Sequence, residues 1–144
     1  MDNIKISAIT VVGVVGAFVA NLLGGWDQAL LTLLLFMAID YGMGLIIAGI
    51  FHKSEKTETG RLNSRAGWKG LCKKGVTLLI ILVATQLDLL MGLDYIRYGT
   101  IIAYITIEVI SIIENAGIIG IPIPKIITNA IDVLKKGEEK DVRE

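Results

Sequence analysis

The sequence predicts an all-α integral membrane protein with about four transmembrane helices and a C-terminal amphipathic helix. Three observations lead there. Hydrophobic residues make up 53% of the chain and the mean hydropathy is +0.67, too apolar for an ordinary soluble domain of 144 residues. Four apolar runs approach the roughly 20 residues that a helix needs to cross hydrocarbon. Between the second and third lies a basic segment, residues 52–74, with seven Lys or Arg against two Glu, and such an excess sets orientation. The chain divides accordingly into a transmembrane hairpin at 4–51, a basic cytoplasmic loop at 52–74, a second transmembrane hairpin at 75–119, and a cytoplasmic amphipathic helix with a charged tail at 120–144.

The first run, Ile4 to Leu23, has Lys5 as its only basic residue and leads at once into another apolar run. It therefore reads as a retained span and not as a signal peptide. Gly13, Ala17, Ala20 and Gly24 fall within an arc of about 100° together with Thr10 and Asn21, giving small-xxx-small spacing on one face. That face suits either packing against the second run within one protomer or contact between subunits.

The second run, Ala29 to Phe51, carries Asp40 near its middle, with Ala38, Gly42 and Gly49 forming a small-residue strip away from the acid. An acid at that depth is a functional candidate by default. The positive-inside rule places the following basic segment in the cytoplasm. The opposite turns contain Asp27 and Asp94 with only Arg97 basic, and fit the external side. Trp26, Tyr95 and Tyr98 there, and Trp68 on the basic side, stand where interfacial aromatic residues belong.

The third run starts near Gly70 or Gly75 and ends at Leu93, with Lys73, Thr77, Ala84 and Asp88 along one face. It is the weakest. Its uninterrupted apolar core, Val76 to Ala84, is short, so a three-span arrangement stays open. The fourth run, Ile96 to Ile119, is the most polar on one side. Arg97, Thr100, Tyr104, Glu108, Ser111 and Asn115 share an arc of about 80°, with Glu114 just beyond its edge. A lone carboxylate at the bilayer centre costs roughly 2.5 to 3.5 kcal/mol, while each Ile or Leu returns only about 0.3 to 0.6 kcal/mol. Lipid satisfies neither carboxylate nor amide, so the stripe must face other helices or water. Asp40, Asp88, Tyr104, Glu108, Ser111, Glu114 and Asn115 are accordingly either interhelical glue, protonated or hydrogen-bonded in a compact bundle, or residues that line water when subunits assemble.

From Pro124 to Lys136 the residues Ile126, Ile127, Ala130, Ile131 and Leu134 share one helical face, opposite Lys125, Asn129, Asp132 and Lys136. This is the pattern of an interfacial helix with proline near its first turn. The final GEEKDVRE reads as a charged, disordered end. With four spans both termini are cytoplasmic.

Enzymatic chemistry finds no support. His52 is the single histidine and lies in the basic segment, Cys72 is the single cysteine, and there is no GxSxG, HExxH or P-loop pattern. No catalytic residue, metal-ligand set or cofactor motif stands out. A basic segment between spans fits orientation and anionic lipid headgroups better than nucleic acid.

Three strings resemble a known family: DYGMGLIIAG from Asp40, SRAGWKGLCKKG from Ser64 and, above all, IEVISIIENAGIIGIPIP from Ile107. They are similar to the toxin-secretion/phage-lysis holins of phages and prophages of Gram-positive bacteria, over roughly Phe36 to Ile127. The resemblance implies a protein that accumulates in the host cytoplasmic membrane, oligomerises with itself, and opens lesions that release an endolysin or, in related members, a large toxin. Its implied partners are other copies of itself and membrane lipid. Members of that family are often described with three spans, whereas the charge distribution here favours four. A small ion channel, transporter subunit or membrane scaffold is the competing reading.

Overall fold

The computed structural model describes residues 1–141. Five α-helices follow in order: α1 (Asp2–Leu22), α2 (Gln28–Ile46), α3 (Ser64–Met91), α4 (Ile96–Ile118) and α5 (Lys125–Asp141), with a π-helical turn at Ile47–Phe51 extending α2. Helices α1, α2 with its extension, α3 and α4 are long and apolar enough to cross a membrane, with no strand among the described residues. The all-helical, four-span architecture is therefore as the sequence predicts.

Local signals fix the helix ends. Asp27 caps α2, its Oδ1 accepting from the Leu30 N–H at 2.9 Å. Asn63 caps α3 in the same way, accepting from Arg65 N–H at 2.8 Å and Ala66 N–H at 3.4 Å. This corrects the expectation of a loop running to residue 74: once Asn63 starts the helix, the following Arg, Ala, Lys and Leu residues sustain it, and the true loop is residues 52–63. That loop folds back on itself, the Ser54 N–H donating to the Gly60 carbonyl at 3.0 Å. Gly60 has φ +71°, and a Cβ there would collide with the His52 carbonyl, so only glycine fits. At the opposite end Gly92, with φ +66°, terminates α3. Asp88 then accepts from the N–H groups of Ile96 at 3.0 Å and Arg97 at 2.8 Å, capping α4 from the neighbouring helix.

The core sits where α2 and α4 pack together, with α3 lying mainly against α4. Leu23, Leu30, Leu33, Met37, Ile81, Ile101 and Ile105 form its buried centre. Arg97 fastens the α1–α2 turn to this core: its guanidinium pairs with Asp27 at 2.5 Å and donates to the carbonyls of Gly25, at 3.1 Å, and Leu23. Gly24, at φ +89°, leaves the room that the Arg97 side chain occupies.

Helix α1 contributes little else. Ala20 is its only buried residue, while Gly13 and Ala17 are exposed. Helix α5 buries Ile131 but leaves Ile126 and Val133 exposed, the arrangement of a helix lying at an apolar boundary. It also runs on to Asp141, past the point where the sequence suggested a disordered end. Glu and Lys are favourable helix formers, and a single Gly137 is tolerated. Residues 142–144 of that tail lie outside the described residues.

Candidate functional site

Three of the long helices converge on a buried ion cluster. Asp40 on α2, Lys74 on α3 and Glu108 on α4 meet side by side: the Lys74 Nζ donates to Asp40 Oδ2 at 2.9 Å and to Glu108 Oε2 at 2.6 Å. The other Asp40 oxygen, Oδ1, accepts from the Ser111 hydroxyl at 2.6 Å and the Asn115 side-chain amide at 3.0 Å. Asp40 is 5% exposed and Glu108 8%. Moving such groups out of water costs several kcal/mol per ion, and their attraction compensates only when further hydrogen bonds saturate the site. Asp40 meets that condition with three donors from two helices.

Helical geometry explains why α4 supplies three of the partners. Glu108, Ser111 and Asn115 are spaced three, four and seven apart, so they stack on one face. That face turns inward, toward α2. Tyr41, one residue beyond Asp40, reaches across to α3 and donates to the Gly67 carbonyl at 3.3 Å. On the loop side of the cluster, α2, the loop, α3 and α4 line a cavity of about 380 Å³ with Asp40, Lys74 and Glu108 among its walls.

The profile of the bacteriophage holin family matches residues 17–136, which include every residue of the cluster. The chain belongs to the bacteriophage holin family. Its relatives include an uncharacterized protein of Halalkalibacterium halodurans, 37% identical over 88% of this chain and 93% of that one. An uncharacterized 14.9 kDa protein from Clostridium perfringens is 36% identical over 83% of this chain and 86% of its own length. A probable holin of Bacillus phage phi105 is 34% identical over 55% of this chain and 59% of that protein. No solved structure matches. Membership in the holin family, with four apolar helices, makes this a multi-pass membrane protein and implies a non-enzymatic role.

Among the residues singled out from sequence, Asp40, Glu108, Ser111 and Asn115 come together in the cluster. Tyr104 borders the same cavity, half-buried, without a hydrogen bond from its hydroxyl among the described residues. Asp88 is buried but serves the far end of the bundle, at the start of α4. Glu114 does not join. It is exposed on α4, because it stands about 120° around the helix from Glu108. The small-residue strip of α1 also divides: Ala20 is in the core and Gly24 lies against Arg97, while Gly13 and Ala17 point away from the bundle. On α2, Gly42 is half-buried and meets no neighbouring side chain closely. The residue that sequence reasoning missed is Lys74. It closes the basic segment, where orientation gave it a sufficient role, and the polar face drawn for the third span ran through Lys73 instead.

Proposed function

We propose that this chain accumulates in the bacterial cytoplasmic membrane as an inert four-span protomer, then oligomerises and opens lesions through which an endolysin or an exported toxin leaves the cell. The observation that carries this reading is the cluster of Asp40, Lys74, Ser111, Glu108 and Asn115, which turns polar side chains of three spans toward one another and sets one ammonium between two carboxylates. A protomer so sealed keeps Asp40, Lys74 and Glu108 away from lipid. The polar groups it holds suffice to line water once the helices separate, since hydration removes the desolvation cost that the closed arrangement imposes. The exposed flank of α1, with Gly13 and Ala17, supplies a surface for a second copy. Orientation follows from the basic segment: residues 52–63 and both termini are cytoplasmic, and the turns at Trp26 and Tyr95 external.

The test is inducible expression in a bacterial host, recording membrane potential, growth and escape of a folded cytoplasmic wall hydrolase together. A delayed and abrupt collapse of potential, coinciding with hydrolase escape, is expected. Ion leakage that starts with synthesis and never passes the folded reporter would instead make the chain a small channel and end the holin-lesion reading.

A further inference from the structure

The cavity beside the ion cluster has the chemistry of a lipid site. Its floor is Asp40 and Glu108, already engaged by Lys74. Lys56 reaches in from the loop, its ammonium 4.0 Å from the point where a Cβ on Gly44 would sit. Lys73 borders the same space from α3. Neither Lys56 nor Lys73 has a carboxylate partner among the described residues. An adjoining hollow shares Lys56 and adds Arg65 and Lys69 against Glu58 alone. The floor carries one net negative charge, and Lys56, Lys73 and the flanking cations outnumber it, so the mouth is positive.

The walls are apolar in the other direction. Leu45 and Ile107 border the cavity and are 39% and 57% exposed on the outside of the bundle, so the space is continuous with the lipid-facing surface. Its depth fits as well. Asp40 and Glu108 lie about 18 Å from the external starts of their helices, at a rise of about 1.5 Å per residue, in hydrocarbon about 30 Å thick. The cavity thus extends from the inner part of the hydrocarbon to the basic-side interface, where headgroups lie.

We propose that this cavity binds an anionic phospholipid, its phosphodiester held between Lys56 and Lys73 and its acyl chain running over Leu45 and Ile107. Basic pockets between spans are suited to such headgroups. The inference goes beyond lesion formation and does not depend on it, requiring only that the helices cross a membrane.

The protein is placed in nanodiscs of phosphatidylcholine containing a minority of phosphatidylglycerol, and the lipids that remain bound after release into detergent are counted by native mass spectrometry. Phosphatidylglycerol should be enriched over its bulk share. Lys56→Gln with Lys73→Gln should lower that enrichment at least about 5-fold, the equivalent of about 1 kcal/mol for one lysine near an anionic surface. Both side chains are exposed, so the thermal midpoint should stay at the parent value. Lys135→Gln with Lys136→Gln removes the same charge from α5 and should leave the enrichment intact. No enrichment in the parent protein, no loss in the cavity variant, an equal loss in the α5 variant, or displacement of the lipid by inorganic phosphate would each overturn the site.

Discussion

Lys74 is the single cation between two buried carboxylates, and its removal separates a paired cluster from an intolerable one. Lys74→Met leaves Asp40 and Glu108 facing each other without compensation, a change that costs about 3 to 5 kcal/mol when a buried pair loses one partner. Thermal unfolding of the detergent-solubilised protein should show it as a large drop in midpoint. Adding Asp40→Asn and Glu108→Gln to the same chain should restore most of the loss, since neutral groups need no counterion. A Lys74→Met protein that melts with the parent would mean the carboxylates are not dependent on it. Four of the five cluster residues were legible in the sequence, because carboxylates and amides stand out in apolar helices and the 100° periodicity groups those on α4. Lys74 was not, because nothing in one helix reveals which residue of another comes into register with it. At the external end, the Arg97 hydrogen bond holds the Asp27 carboxyl below its ordinary 3.8. With the folded value below the unfolded one, the stabilisation is present above about pH 3.8 and lost as pH falls through the folded value. Asp27 is 45% exposed, so the contribution is at most about 1 kcal/mol. Asp27→Asn retains the helix cap and isolates the charge. Its deficit in melting temperature should be widest near neutral pH and close in acid, and a deficit constant from pH 7 to 3 would refute the linkage.

Among the elements, the helices were legible to within a few residues wherever an apolar run met a capping residue, as at Asp27. They were misread where charge obscured helix propensity. The basic stretch from Ser64 looked like loop because positive charge signals orientation, yet charge and helix formation are compatible, and Asn63 supplies the start. The C-terminal helix outran its expected end for the same reason. Helix α1 poses a different problem: small-residue spacing announces a contact face without naming the partner, and the fold assigns its upper and lower parts differently. Ala20 belongs to the core, whereas a Cβ on Gly13 meets nothing within 4 Å. Ala20→Leu should therefore overpack the protomer, at about 1 to 3 kcal/mol, and says nothing about assembly. Gly13→Leu is the informative change. It should leave insertion and melting of the protomer at parent values while weakening the ladder of chemically cross-linked oligomers and shifting lysis onset. An unchanged ladder together with an unchanged onset would remove α1 from the subunit interface.

For the whole molecule, stability and opening make opposite demands on the same charges. In the closed bundle the cluster joins α2, α3 and α4 at a desolvation cost; on the proposed opening, water would relieve that cost and the charged faces would favour a wet interior. Exchanging a buried ion cluster for well-packed apolar groups of similar volume is often stability-neutral or stabilising in protein interiors. Uncharged amides likewise escape the desolvation cost of an ion, but their N–H groups then need partners. The variant combining Asp40→Asn, Lys74→Met and Glu108→Gln should consequently accumulate in the membrane as well as the parent and melt only slightly lower. Its release behaviour should differ. Without charges to hydrate, separation of the helices gains less from water, so the hydrolase reporter should escape later or not at all at matched membrane abundance. Measuring inserted protein beside reporter release distinguishes this from simple misfolding, which would lower both. A triple variant that inserts normally and releases the hydrolase on the parent's schedule would confine Asp40, Lys74 and Glu108 to holding the bundle together, and the wall of any lesion would then have to be sought on another face.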